Sequence, residues 1–391
     1  MRACRLLMPL VLFGSAWIVP NAARAVPSCS AIVAPGGDIQ TALDSLPRRA
    51  TICIPGGTYT LSASLVPKAG QTIVGLKGGR VPLIACQAVV FCVDGSAGPA
   101  RVTLKRLVFK GAKNVDIRTG DRWRLRHVEA RGAFEVGIVV RGDGVVIRGS
   151  FAHDNGQFGL RAVNATDVMV ANSEFSFNAT APDVDPGFTG GVKFNGVIGL
   201  VAKRNRVHDN GGGGRLWIDI DSQQFRVVDN RLAHNEREQI RIETSCYGLV
   251  RGNKVKGGGI ASIDVFNAHD VTVASNAVTA AAATQFGIRM LNNGRTSTVG
   301  TGACRIGGVY QNVNNVATAN TIVLQDVVTV VGIDSNGGIA ANNAWSGNRY
   351  RVPDCAGLHW QWWDGVAELL VDFAAWQAFG QDVAGACTAA A

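Results

Sequence analysis

The sequence predicts an all-β, single-domain right-handed parallel β-helix. Three observations point there: a repeat close to 23 residues, short alternating Val/Ile runs bounded by Gly and Asn, and 48 glycines for tight bends. Four segments superimpose, IRGSFAHDN, VANSEFSFN, AKRNRVHDN and VVDNRLAHN, and VRGNKV and VASNAV continue the series. The shared position runs Gly149, Asn172, Asn205, Asn230, Asn253, Asn276, in steps of 23, 33, 25, 23 and 23 residues. That period is too short for a propeller blade and suits one solenoid turn. Leucine-rich repeats share the period but need a regular leucine pattern that is missing. Asn tolerates the left-handed backbone at a bend, and its amide can bond the next Asn in a stack.

The elements follow in chain order. Residues 1–25 read as an export signal: Arg2 and Arg5, an apolar run from Leu6 to Val19, then Ala23-Arg24-Ala25 as a cleavage site. Residues 26–70 form an N-terminal cap and the first strands. There Ile39, Ala42, Leu43 and Leu46 have helical spacing behind Asp38 as N-cap. Residues 71–350 form the β-helix, and 351–391 a C-terminal cap. In that cap Glu368–Phe379 reads as an amphipathic helix, with Trp360, Trp362, Trp363 and Trp376 covering the open core.

Loss of the signal removes three arginines and no acids, so the net charge falls from +9 to +6. A basic exported chain suits an acidic partner. Eight cysteines remain, an even number, so disulfides are expected, with Cys29–Cys53 and Cys86–Cys92 favoured because each pair is local. A secreted or periplasmic protein with no membrane span is expected. No zinc spacing, Walker loop or Rossmann glycine pattern is present, and no nucleic-acid partner is expected.

One strand per turn aligns across the repeats: GLRAV, GVKFN, LWIDID, QIRIE, SIDVF and GIRML. Alternation points Leu160, Val192, Ile218, Ile240, Ile263 and Ile288 inward. One outward column then holds Arg161, Lys193, Asp219, Arg241, Asp264 and Arg289. A second holds Val163, Asn195, Asp221, Glu243, Phe266 and Leu291. A solvated charge ladder would explain such columns. So would a substrate groove on rigid strands. Trp217 shares the outward parity and is either a sugar-stacking platform or a packing residue. The insertion Ala179–Thr189, with Asp183, Asp185 and Pro186, is expected to overhang this groove. His153, His208 and His234 recur at one bend and read as turn chemistry rather than catalysis.

Two segments carry a family resemblance. CIPGGTYTLSASLVPKAGQTIVGL resembles the entry segment of pectin-lyase-like β-helix proteins. Leu216-Trp217-Ile218-Asp219, followed by Asn230, Asn235 and Ile242-Glu243, resembles the centre of β-helical β-xylosidases, and more distantly inulin fructotransferases. The resemblance implies Asp219 as nucleophile and Glu243 as acid/base. It departs from that pattern at Arg215, which stands where the motif has Gly, and in lacking a His after the Glu. Spacing agrees with the pairing. Neighbouring turns lie about 4.8 Å apart, close to the roughly 5 Å between the carboxyls of retaining glycosidases. Asp221 is the alternative nucleophile, or a neighbour that raises the pKa of one partner.

The resulting expectation is a secreted polysaccharide- or oligosaccharide-cleaving glycoside hydrolase. Asp219, Glu243 and Asp221 are its catalytic candidates. Lys193, Trp217, Arg161, Arg241, Asn195 and Asp264 are its substrate-binding candidates. It needs no cofactor. The alternative is a lyase or epimerase of a uronate polymer, with Lys193 as base and Ca2+ held by Asp219, Asp221 and Glu243. A non-catalytic carbohydrate-binding surface protein is the third reading.

Overall fold

The computed structural model describes residues 28–390, apart from 183–184, 186, 283, 297–299, 327–329, 336–340 and 364–365. The export signal lies outside the described residues. Each full turn contributes one strand to a 12-stranded sheet and two strands, separated by a bend, to a 24-stranded sheet. Parallel pairing runs from Ala31–Ile32 against Ile52–Cys53 to Ala386–Ala389 against Arg349–Val352. The fold is a parallel β-helix, as the repeat predicts.

Alternation builds the core. Ile138, Leu160, Val192, Leu216, Ile240, Ile263 and Ile288 stack in one inward column. Val140, Ala162, Phe194, Ile218, Ile242, Val265 and Met290 form the next. All are buried. A column of like side chains fills a narrow interior only while the register holds from turn to turn.

The bend residues hold that register. Asn205, Asn230, Asn253, Asn276, Asn320 and Asn348 form a ladder in which each Nδ2 donates to the next Oδ1 at 2.9–3.0 Å. Asp382 of the C-terminal cap ends it, accepting from Asn348 Nδ2 at 2.8 Å and from the Tyr350 hydroxyl at 2.6 Å. Ser150 and Ser173 begin the ladder, not Gly149 and Asn172 as the sequence alignment had it. Gly149 and Asn172 fall one residue earlier, with Arg204, Asp229, Gly252 and Ser275, in a column whose φ values are 60, 50, 54, 57, 67 and 54°. The tight bend requires this left-handed conformation, which Gly adopts without strain and Asn at modest cost. A second ladder joins Asn155, Asn178, Asn210 and Asn235.

Both ends are closed. The helix Ile39–Ser45 is capped by Asp38, which accepts from Gln40 N at 2.8 Å, and buries Ile39 and Leu43 on the first turn. The C-terminal helix is shorter than expected. Glu368–Val371 is a strand antiparallel to Trp360–Trp363, and only Phe373–Ala378 is helical, started by Asp372 accepting from Ala375 N. Two unpaired strand edges make pairing more favourable there than continuing the helix. Trp360 and Trp376 are fully buried, packed on Tyr350 and Trp345. Four disulfides, Cys29–Cys53, Cys86–Cys92, Cys246–Cys304 and Cys355–Cys387, use every cysteine of the described residues.

Candidate active site

The site lies on the outer face of the 12-stranded sheet. Alternation alone cannot separate two registers that differ by two residues, because both keep apolar residues inward. The structure decides it: Leu216 pairs with Val192 and Ile240, and Ile218 with Phe194 and Ile242. The first outer column is therefore Arg161, Lys193, Trp217, Arg241, Asp264, Arg289. Asp219 moves to the second column, opposite Asn195, and its next-turn neighbour is Glu243.

Asp221 leaves the column altogether. Ile220 and Asp221 have φ of 38° and 58°, which turns the chain out of the strand. The Asp221 carboxylate accepts from Gly302 N at 2.7 Å, Thr301 Oγ1 at 3.1 Å, Cys304 N at 3.0 Å and the Tyr310 hydroxyl at 2.9 Å. It anchors a strap, residues 293–315, that the Cys246–Cys304 disulfide also ties down. Burial, with Asp221 beside it, pushes the Tyr310 phenol up to about 12. Asp221 is thus a structural anchor in place of the second nucleophile candidate.

Lys193, Asp219 and Glu243 are buried side by side. Lys193 Nζ lies 2.9 Å from Asp219 Oδ2. Burial pushes the Lys193 pKa down, against the pull of Asp219. Burial pushes Asp219 up, Lys193 opposes it, and Glu243 adds to it. Glu243 has both oxygens engaged, Oε2 by Arg241 Nε at 2.8 Å and Oε1 by Arg295 Nη1 at 2.6 Å. Arg241 also meets Glu238 at 2.6 Å and Asp264 at 3.3 Å, so three carboxylates hold its charge. Asp264 takes two further bonds from Arg289, at 2.9 and 3.0 Å, which keep its carboxyl below the ordinary range despite full burial. The Arg241, Asp264 and Arg289 group is a satisfied ion network, the arrangement that makes buried charge tolerable.

Two substrate-binding candidates sit at the edge of this network. Arg161, one turn before Lys193, makes no ion pair among the described residues. Asn195 Oδ1 is buried without a hydrogen-bond partner. Trp217 does not serve as a sugar platform: it is 4% exposed, with Lys193 Nζ 3.2 Å and the Arg215 guanidinium 3.9 Å from its ring centroid. It packs, and it carries cations on its π surface. The insertion does reach the groove. Gly187 O accepts from Arg215 Nη2 at 2.8 Å, and the exposed Phe188 ring lies 5.9 Å from Lys193 Nζ. Asp183 and Pro186 fall outside the described residues. A Ca2+ cage of Asp219, Asp221 and Glu243 does not fit: Asp221 faces the strap, and the other two are paired to cations. His153 and His208 sit in equivalent turn contacts, each between the following Asp (2.5 and 2.6 Å) and a Glu one turn back (3.3 and 3.2 Å). His234 is 65% exposed at its side chain, 3.4 Å from Asp209.

Sequence reasoning missed Arg295, Arg215 and Glu238. Arg295 lies 52 residues beyond Glu243 and arrives through the strap. The ladder step from Asn276 to Asn320 spans 44 residues, about double the repeat, and that gap was the available signal.

A family model for the right-handed beta helix region matches residues 113–278. Solved structures match over most of the chain. The chain has the right-handed parallel β-helix fold. Among those sharing this β-helix is the mannuronan C-5 epimerase AlgE4 A-module of Azotobacter vinelandii, at 18% identity and TM-score 0.61, covering 78% of this chain and 92% of that one. XylC in complex with xylose aligns at 11% identity and TM-score 0.58, covering 82% and 83%. The periplasmic alginate epimerase AlgG aligns at 12% identity and TM-score 0.56, covering 82% of each chain. No curated protein matches the β-helix by sequence. No helix of the described residues is long and apolar enough to cross a membrane.

Proposed function

We propose that this β-helix is an exported carbohydrate-active enzyme that removes the C5 proton of a uronate unit in a polysaccharide. The observation that carries the reading is the buried Lys193–Asp219 pair, flanked by Arg161, which makes no ion pair among the described residues though Glu135 and Asp219 act on its charge. Arg161 is placed to take the substrate carboxylate, which lowers the cost of charge developing at C5. Lys193 in its amine form accepts the C5 proton, and burial favours that form. In elimination the electrons of the C5–H bond form the C4–C5 double bond as the C4–O4 bond breaks, and the leaving oxygen takes a proton. The Lys193 ammonium formed by that transfer supplies it, and the Asp219 carboxylate 2.9 Å away holds the charged form. Return of a proton to the other face of C5, without cleavage, is epimerisation. The disulfides fit an oxidising compartment. Structural neighbours that by name act on mannuronan or alginate support a uronate substrate.

Retaining glycoside hydrolysis is the second reading, favoured by Asp219 and Glu243 on adjacent turns. Against it, Glu243 has a guanidinium on each oxygen and must break an ion pair to pass a proton. The test incubates the protein with polygalacturonate, alginate and neutral xylan, and reads ultraviolet absorbance, reducing ends and C5 deuterium uptake from heavy water. Absorbance or deuterium uptake on a uronate polymer, lost at least 100-fold in Lys193→Ala, is the expected result. Reducing ends without either signal, abolished in Asp219→Asn, would establish the hydrolase instead. Binding without turnover would leave a carbohydrate reader. Because the amine is the working form, kcat/KM should rise with pH through a pKa below the ordinary lysine value, and Lys193→Arg should remove that limb.

A further inference from the structure

A second concave surface lies off the candidate site, on the strands that follow the ladder bend. Arg206, Arg231 and Lys254 stack directly over one another on three consecutive turns. Lys256 stands in the neighbouring column. All four line a groove of about 810 Å³, together with His208, Asp209 and His234. Arg206 also borders an adjoining concavity of about 380 Å³. Only Arg206 has a carboxylate partner, Glu174 at 3.1 Å. Arg231, Lys254 and Lys256 have none among the described residues. The strands before the bend add exposed Arg226 and Arg251 on the same turns.

Like charges directly opposite each other on neighbouring strands destabilise a sheet. A surface built only for solubility intersperses both signs. Three turns of stacked cations are therefore a cost that a polyanion would relieve. The geometry selects the polyanion. Cations about 4.8 Å apart along the helix axis present one charge per turn to a straight chain, a rise comparable with one sugar unit of an extended polysaccharide. No Phe, Tyr or Trp ring lines the groove, whereas single-stranded nucleic acid is held by successive stacking platforms. The exposed Phe177 ring stands edge-on to His208 with centroids 6.1 Å apart, outside the residues that line the groove. A concave floor of strands does not enter a duplex groove and lacks the apolar face that seats a protein in a bilayer.

We propose that the groove over Arg206, Arg231, Lys254 and Lys256 is a second binding site that holds a linear acidic polysaccharide along the helix axis, apart from the Lys193 cluster. The uronate chemistry of the ligand rests on the function proposed above, but binding here requires no turnover. The test measures equilibrium binding of the whole protein to polygalacturonate and alginate over a range of NaCl concentrations. It compares wild type, Arg231→Gln/Lys254→Gln/Lys256→Gln and Lys193→Ala, each checked for an unchanged melting profile. The expected result is salt-sensitive binding that weakens at least ten-fold in the triple variant, with the salt slope reduced by about two to three, and is kept in Lys193→Ala. Arg231→Lys/Lys254→Arg/Lys256→Arg should bind as wild type. Any turnover of short oligosaccharides should be untouched by the triple variant. Equal binding by the triple variant and wild type overturns the proposal. So does failure of wild type to bind either polymer, or tighter binding to duplex DNA or phosphatidylserine vesicles at the same salt. Loss of turnover in every assay with groove binding intact would reject the catalytic reading and keep this one.

Discussion

Asn230 makes four hydrogen bonds through one side chain: its Nδ2 donates to Ala202 O and Asn253 Oδ1, and its Oδ1 accepts from Asn205 N and Nδ2. Removing it orphans several buried groups, each costing about 1–3 kcal/mol. Asn230→Ala should destabilise the fold by roughly 3–5 kcal/mol in denaturant unfolding, while Asn172→Ala, off the ladder, should cost far less. Asp116 is a different kind of residue. It is fully buried, and Oδ2 has no partner. Burial pushes its pKa up to about 7, against the amides of Ala112 and Arg131. The folded state therefore keeps a proton that the unfolded chain releases. The stability Asp116 contributes is whole below pH 3.8 and is lost as pH rises to about 7. The difference is on the order of a few kcal/mol. Asp116→Asn should flatten the pH dependence of the unfolding midpoint between pH 4 and 7.5; a curve parallel to wild type would show that Asp116 is not the source.

At the scale of an element, the strap 293–315 decides how the site is closed on one side. Cys246–Cys304 links it across 58 residues, and Asp221 anchors it with four bonds. Arg295 thereby reaches Glu243. Cys246→Ser/Cys304→Ser should lose about 4 kcal/mol of stability by the loop-entropy argument. It should also lower kcat, because the strap brings Arg295 to Glu243, whose carboxylate acts on the neighbouring Asp219. Equal turnover by the double variant would show the strap to be merely protective. The insertion Ala179–Thr189 walls the other side through Gly187 and Phe188. Its deletion should change the preferred oligosaccharide length, and unchanged kinetics on all lengths would remove it from the binding surface.

At the scale of the molecule, a solenoid is only as stable as its ends, because each turn contacts only its neighbours. Asp382 terminates the ladder, Trp360 and Trp376 cover the last core layer, and Cys355–Cys387 pins the final strand. A chain ending at Val352 should expose the last turn and form higher oligomers in size-exclusion chromatography. Elution as a monomer would show that the cap is dispensable.

Sequence alone determined the solenoid, both caps, two of the four disulfides and the outer face that gathers the charges. These follow from local rules: a period near 23, strand alternation, and the bend chemistry of Asn and Gly. The long stretch from Asn276 to Asn320 concealed the strap, because nothing in its residues says where it returns. Register between turns was decided only in three dimensions. Leu216 and Ile218 are both apolar and both inward, so a shift of two residues keeps the same pattern. Packing of whole side-chain columns removed that degeneracy. It placed Trp217 over Lys193, set Asp219 beside Glu243, and turned Asp221 away to hold the strap.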